Sequence, residues 1–251
     1  MSVAFEPPFG SPNSPVAPRA ANRLLAAVSA EDFALIERRL EFIPLARGQV
    51  LFEPGDNIRV THFPAYRTMV SMQIVTRDGH EIEAATVGRE GAVGGVVSAG
   101  DKPAFGRGVV QIAGSAFAVP TSVLEEVKCA SPSFGELFAR YADTLLAQMM
   151  QSVACNALHS VEERCCRWLL SAHDRAGKEI LQLTQEALAE MLGVQRTTVT
   201  AAIQGLEARG VVQRRRGSVE IIDRAALERR SCECYRAVED HFEAMLPEVA
   251  L

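Results

Sequence analysis

From Val50 to Val119 apolar residues alternate with polar ones or run in short blocks, as at Val70, Met72 and Ile74. Turn signals at Pro54-Gly55, Asp78-Gly79 and Gly100-Asp101 separate the runs. A side-chain period of two over short stretches belongs to half-buried strands, and this spacing predicts an antiparallel barrel or roll. Ahead of it, Ser29 and Asp32 form a cap-box-like pair before Phe33, Ile36 and Leu40, which predicts a short helix stopped by Pro44. Beyond it, Ser131-Pro132 is a helix start, with Ser as N-cap and Pro in the first turn. The helix should run to about His159, with Phe134, Phe138, Tyr141, Leu145, Gln148, Ser152 and Cys155 at alternating steps of four and three and further apolar residues at Leu146, Met150 and Val153. No charged residue falls between Thr144 and Val161. A helix about 40 Å long and uncharged on every side cannot lie on a solvent surface. The barrel covers one side, and an identical helix of a second subunit is the economical cover for the other; a central helix of a monomeric bundle is the alternative. Ser160 and Glu163 form a second capping box, opening a helix through Cys165, Trp168, Leu169 and Leu170 that ends near Gly177.

The pattern changes again between Leu183 and Arg216. Thr184 caps a helix with Glu186 in its first turn, Ala189 sits where two helices must approach closely, and Gly193 follows at a tight turn. Val199, Ile203 and Leu206 then line one face of a second helix, a helix-turn-helix pattern. The outward side of that second helix carries Gln195, Arg196, Thr197, Thr198 and Thr200, short polar donors near a helix N-terminus, where a major-groove reader places its base contacts. Val211-Val212 and Val219 to Ile222 read as two strands joined by a turn bearing Arg214, Arg215 and Arg216, a wing placed to touch phosphate.

Composition divides the chain consistently with this. Five of the twelve prolines fall before residue 20, eleven of the eighteen glycines lie between Gly48 and Gly114, and none of the prolines lies between Ser133 and Leu246. The expected organisation is α+β: a disordered tail over 1–21, an antiparallel β-roll sensor domain over 22–130, a dimerisation helix over 131–159, a winged helix-turn-helix over 160–226 and a C-terminal helix over 227–251. Net charge is -5, which excludes a uniformly basic surface. Leu183 to Arg216 nevertheless holds five arginines against three glutamates. With six cysteines, no secretion-type leader pattern and a longest uncharged stretch interrupted by Gln148, Gln151, Ser152, Asn156 and His159, the expectation is a cytoplasmic protein without a membrane span.

In this order, a small antiparallel roll, a long helix and LTQEALAEMLGVQRTTVTAAIQGLEARGVV resemble the Crp/Fnr superfamily of bacterial transcription regulators, over about residues 22 to 235. VSMQIVTRDGHEIEAATVGREGAVG is similar to that family's cyclic-nucleotide-binding-like sensor domain, and SCECYRAVEDHFEAMLP to a tail of one proteobacterial subgroup. The resemblance implies a homodimer on palindromic double-stranded DNA, RNA polymerase as a partner, Arg196 as the guanine-reading residue, and Gln195 and Thr198 as phosphate or base contacts. Thr197 stands where the cyclic-AMP-type members have glutamate and Ala201 where they have a second arginine, so the target sequence should differ.

The resemblance also locates the sensor's ligand cassette. Gly94-Gly95-Val96 offers no carboxylate for a ribose, and Pro103 to Arg107 leaves only Arg107 as a displaced partner for a phosphate. Gly94, Gly95 and Arg107 are thus the candidate ligand residues, and tight cyclic-AMP binding is not expected, since a buried phosphate would lack pairing. The effector is an unknown small molecule, and no cofactor is predicted. The iron-sulfur reading fails because no cysteine precedes Cys129. Cys165-Cys166 and Cys232-Cys234 diverge if each pair lies on a continuous helix, so no metal site is expected from them; structural cysteines or a redox thiol remain. A cupin-like enzyme would need converging histidines, and the roll offers only His62 and His80, eighteen residues apart. A ligand- or redox-sensing protein-interaction module without DNA binding is the other competing class.

Overall fold

The computed structural model describes residues 17–177 and 179–247. The expected N-terminal tail lies outside the described residues up to residue 16. From there on the expectation is corrected: α1 (Pro18–Ala21) is a packed helix, not disordered, and α2 (Arg23–Ala27) and α3 (Ala30–Ile36) follow it. Asn22 explains why. Fully buried, it accepts from Leu25 N–H as the α2 cap and donates its side-chain amide to the Pro64 and Gly91 carbonyls at 2.9 and 2.8 Å, tying the N-terminal helices to the roll. Ser29 caps α3 as predicted, but a short 3₁₀ turn ends the helical stretch at Arg39, and Pro44 lies inside a strand.

The roll is two antiparallel sheets. One has the order β1 (Glu41–Leu45), β7 (Gly114–Pro120), β3 (Val60–Pro64); the other β2 (Val50–Phe52), β6 (Arg107–Ile112), β4 (Met69–Val75), β5 (Glu81–Val87). Pro44 is tolerated because β1 is an edge strand. A helix absent from the sequence reading, α4 (Thr121–Ala130), follows β7 and leads into α5 (Pro132–Leu158), capped by the Ser131 hydroxyl.

The two heptad-like rows of α5 have different fates. Phe134, Phe138, Tyr141, Gln148, Ser152 and Cys155 are buried against this chain's own roll and C-terminal helix. Tyr141 Oη donates to the Ala92 carbonyl at 2.9 Å. Leu146, Met150 and Val153 are exposed, 55%, 65% and 72% respectively. No helix of the described residues is long and apolar enough to cross a membrane.

After a break at His159, α6 (Val161–Ala176) opens on the Ser160–Glu163 capping box and closes on left-handed Gly177. Then come β8 (Ile180–Leu181), α7 (Gln185–Leu192), α8 (Arg196–Ala208), β9 (Val212–Arg215) and β10 (Ser218–Ile221), with sheet order β8-β10-β9. The core of this unit, around Trp168, Leu169, Leu188, Ile203 and Leu206, is continuous with Met69 of β4. The expected single C-terminal helix is two: α9 (Arg224–Arg230) and α10 (Cys234–Met245), broken at Ser231. α10 packs back along α5, burying Phe242 and Leu246 in the cluster around Phe134, Phe138 and Tyr141.

Candidate nucleic-acid interface

α7 and α8 are held by residues the sequence pattern singled out. The Thr184 hydroxyl accepts from Ala187 N–H at 3.1 Å and caps α7, and Gly193 takes the left-handed conformation that ends it (φ 62°). Val199, Ile203 and Leu206 are fully buried, which fixes the rotation of α8 about its axis. Gln195, its N-cap, and Arg196, Thr197 and Thr198 in its first turn are all turned to solvent. A helix N-terminus presents unpaired backbone N–H groups and a partial positive charge, which suits phosphate, while the side chains of its first turn suit base edges.

A groove runs from this first turn to the wing. Thr184, Gln185 and Glu186 form one wall, Arg215, Gly217 and Ser218 the other, and Arg196 lies between them. The structure thus brings Thr184, Arg196 and Arg215 together along one groove. It separates the other candidates by role. Thr200 is half-buried and donates to Gln185 Oε1 at 2.7 Å, so its hydroxyl braces α7 against α8 and does not face a ligand. Arg214 donates through both backbone N–H and Nε to Glu207, at 2.9 and 2.5 Å, and Arg215 donates Nε to Glu220 at 2.7 Å. Arg216, at the exposed tip of the wing, has no ion pair among the described residues, and neither has Arg196. The three arginines that look alike in the sequence are therefore a structural one, a half-committed one and a free one.

Residues 163–230 match the model of the Crp-like helix-turn-helix domain. This stretch therefore carries a Crp-like helix-turn-helix domain. The fold is shared along most of the chain with solved structures. FixK2 from Bradyrhizobium japonicum is 14% identical, with a TM-score of 0.65, covering 77% of this chain and 98% of its own. A Crp/Fnr-family transcriptional regulator from Thermus thermophilus is 19% identical, with a TM-score of 0.61 and coverage of 76% and 98%. The c-di-GMP-responsive global regulator of Xanthomonas campestris is 16% identical, with a TM-score of 0.61 and coverage of 77% and 99%. No curated protein sequence matches the chain significantly.

In the β-roll the surroundings of the candidate ligand residues give each of them another role. Arg107 donates Nε to Glu53 at 2.8 Å and pairs closely with Glu81, so two carboxylates already neutralise it. Gly94 and Gly95 have positive φ, 92° and 59°, and a Cβ on them would strike the Val60 carbonyl at 2.7 Å and the Thr121 methyl at 2.5 Å. Both glycines are explained by close packing of the loop against β3 and α4. His62 is buried and its pKa is pushed down to about 4 by that burial, which keeps it neutral, whereas His80 is exposed in the β4–β5 turn beside Asp78. They line different clefts and do not converge.

The cysteines bring a correction. Cys165 and Cys166 are fully buried in the domain core, and burial pushes both thiols up to about 12, which makes them structural. Cys232 and Cys234, however, do not share a continuous helix. The break between α9 and α10 turns both toward the end of α5, where they meet Cys155 and His159, with all four ligand atoms within 4.8 Å of one another. The sequence did hold a signal for this group. Cys155-x₃-His159 places two ligands on one face of a helix end, and Cys-x-Cys follows a basic helix C-terminus at Arg229-Arg230.

Proposed function

We propose that the protein is a Crp/Fnr-type transcription regulator, a homodimer that reads a palindromic operator through paired α8 helices, with the wings on flanking phosphate. The observation that carries this reading is Arg196. It is exposed and unpaired at the first turn of a buried-faced recognition helix, within one groove with Thr184 and the wing. Arginine there presents a bidentate donor pair to guanine O6 and N7. Gln195, Thr197 and Thr198 stand beside it for neighbouring bases or phosphates. The second copy is supported by a seam on α5. Ala139, Leu146, Met150, Val153 and Ala157, with Asp143 at the remaining position, are all exposed and follow one another at steps of four and three. That is the 3.5-residue period at which two helices pack. A two-fold dimer places its half-sites about one DNA turn apart.

The β-roll then serves as the sensor of a small-molecule effector other than cyclic AMP, in a cytoplasmic regulator that meets RNA polymerase on its promoter. Selection of bound sites from random double-stranded DNA, with purified protein and with added cell extract, tests the reading. Enrichment of a palindrome supports it, and enrichment only with extract adds a required effector. Failure to enrich any palindrome in both conditions rejects it.

A further inference from the structure

The Cys155, His159, Cys232, Cys234 group lies at the end of α5 and the break before α10, outside the groove that holds Arg196. We propose that these four side chains form a closed tetrahedral site for a zinc-class divalent cation, which fastens the last helix to the hinge between α5 and α6.

The first support is geometric. Zinc holds thiolate sulfur at about 2.3 Å and imidazole nitrogen at about 2.0–2.1 Å, so the edges of its tetrahedron are about 3.8 Å between sulfurs and about 3.5 Å between sulfur and nitrogen. In the structure Cys155 Sγ and Cys232 Sγ are 3.6 Å apart, and Cys234 Sγ and His159 Nδ1 are 3.4 Å apart. These two pairs thus stand within tenths of an ångström of metal-site spacing, and all four ligand atoms lie within 4.8 Å of one another. Four protein ligands leave no open position, the pattern of a structural site, and three thiolates with one imidazole select zinc over calcium or magnesium.

The surroundings are those of an outer shell. His159 Nε2 is 3.1 Å from Glu233 Oε1, the carboxylate–histidine pairing that leaves Nδ1 for the metal. Gln151 Nε2 donates to Cys234 Sγ at 2.9 Å. Three thiolates and a dication sum to one negative charge, and Arg164 and Arg167 of α6 supply positive charge close to the cluster. The three thiols form a small buried cluster of their own, separate from the three large apolar cores. A Cys155–Cys232 disulfide would use two of these groups and leave Cys234, His159, Glu233 and Gln151 without a role.

The position gives the site a consequence, which rests on the DNA-binding reading. Cys155 and His159 belong to the end of α5, and His159 is the residue at which the chain turns into α6. Cys232 and Cys234 come after the winged helix has been completed. A bound cation therefore clamps the exit of the DNA-binding unit to its entrance, and its loss frees the hinge.

The test begins with the reduced, full-length protein, stripped by chelator and titrated with cobalt(II) alone. The expected result is a tetrahedral cobalt spectrum with a thiolate charge-transfer band, saturating at one equivalent per chain and erased by zinc. Cys155→Ser and Cys232→Ser should weaken cobalt uptake by more than the roughly tenfold expected of Glu233→Gln, an outer-shell change. Cys129→Ser, on exposed α4 cysteine, should leave the titration unchanged. Absence of the thiolate band at excess cobalt overturns the site, as does a Cys232→Ser titration matching wild type. Operator affinity is then compared with and without zinc. Equal affinities overturn the hinge role and leave the site standing, whereas failure to bind any DNA counts against the proposed function and not against the metal.

Discussion

Arg175 Nε lies 2.8 Å from Glu90 Oε1, and both side chains are buried where α6 meets the loop after β5. The pair joins the helix-turn-helix unit to the β-roll. Glu90 Oε1 also accepts from Gly88 N–H at 2.9 Å, and a Cβ at Gly88 would meet the Arg175 side chain at 2.7 Å, so the loop is shaped around the arginine. With Trp168 Nε1 donating to Glu83 at 2.9 Å and Met69 embedded in the winged-helix core, the two units share a packed interface.

Breaking the pair should be costly for a specific reason. Removing one partner of a buried ion pair leaves the other charge uncompensated, at about 3–5 kcal/mol. Glu90→Ala should therefore lower stability in urea denaturation by about that amount. Replacing both residues by apolar ones of similar volume should recover much of the loss. A Glu90→Ala protein as stable as wild type would show that Arg175 finds another partner.

Glu83 predicts a pH response at the same interface. Burial pushes its carboxyl up to about 7, outweighing the hydrogen bonds from Ser71 and Trp168, which favour ionisation. Its ordinary value is 4.5, so between the two the folded protein holds a proton that the unfolded chain has released. The contribution to stability is full below the lower value and is lost as pH rises through about 7. Trp168 is the only tryptophan, and its indole donates directly to this carboxyl. Its fluorescence should titrate with a midpoint near the raised value, and Glu83→Gln should flatten the curve.

The strongly periodic elements were legible in the sequence because one dominant interaction fixes each. Ser131, Ser160 and Thr184 cap their helices as read, and Gly177 and Gly193 end them in the left-handed region. What could not be read depends on contacts distant in the chain. Nothing local distinguishes Arg214 from Arg216 until Glu207 is brought beside the former. Two rows on α5 share one period, and only the placement of the roll and α10 decides which row is buried. Cys232 and Cys234 diverge on a continuous helix and converge only because the chain breaks at Ser231. The order of α1 was hidden by a proline-rich composition that the buried Asn22 overrides.

The arginines should separate in DNA-binding assays. Arg196→Ala should cost about 1–3 kcal/mol on the best operator and relax one base position. Arg216→Ala should weaken binding to all sequences alike and reduce the salt slope by about 1, the signature of one lost phosphate contact. Arg214→Ala should act mainly on the wing's stability, because its guanidinium is engaged by Glu207. Binding measured over a range of salt on specific and scrambled duplexes distinguishes these outcomes, and an Arg196→Ala protein that keeps full affinity and selectivity would remove that residue from the reading head.

The α5 seam predicts the assembly state. Met150 and Val153 are 65% and 72% exposed in the single chain, so a charge at either position should leave the monomer fold intact. In a two-fold dimer each residue meets its own copy or a close neighbour across the axis, and a new glutamate would face like charge in a desolvated seam. Met150→Glu with Val153→Glu should therefore yield a folded monomer in sedimentation equilibrium, with unchanged circular dichroism. Because each reading head alone contacts only one half-site, that monomer should lose most of its preference for a palindrome over an isolated half-site. A double variant that still sediments as a dimer would place the subunit interface on another face of the protein.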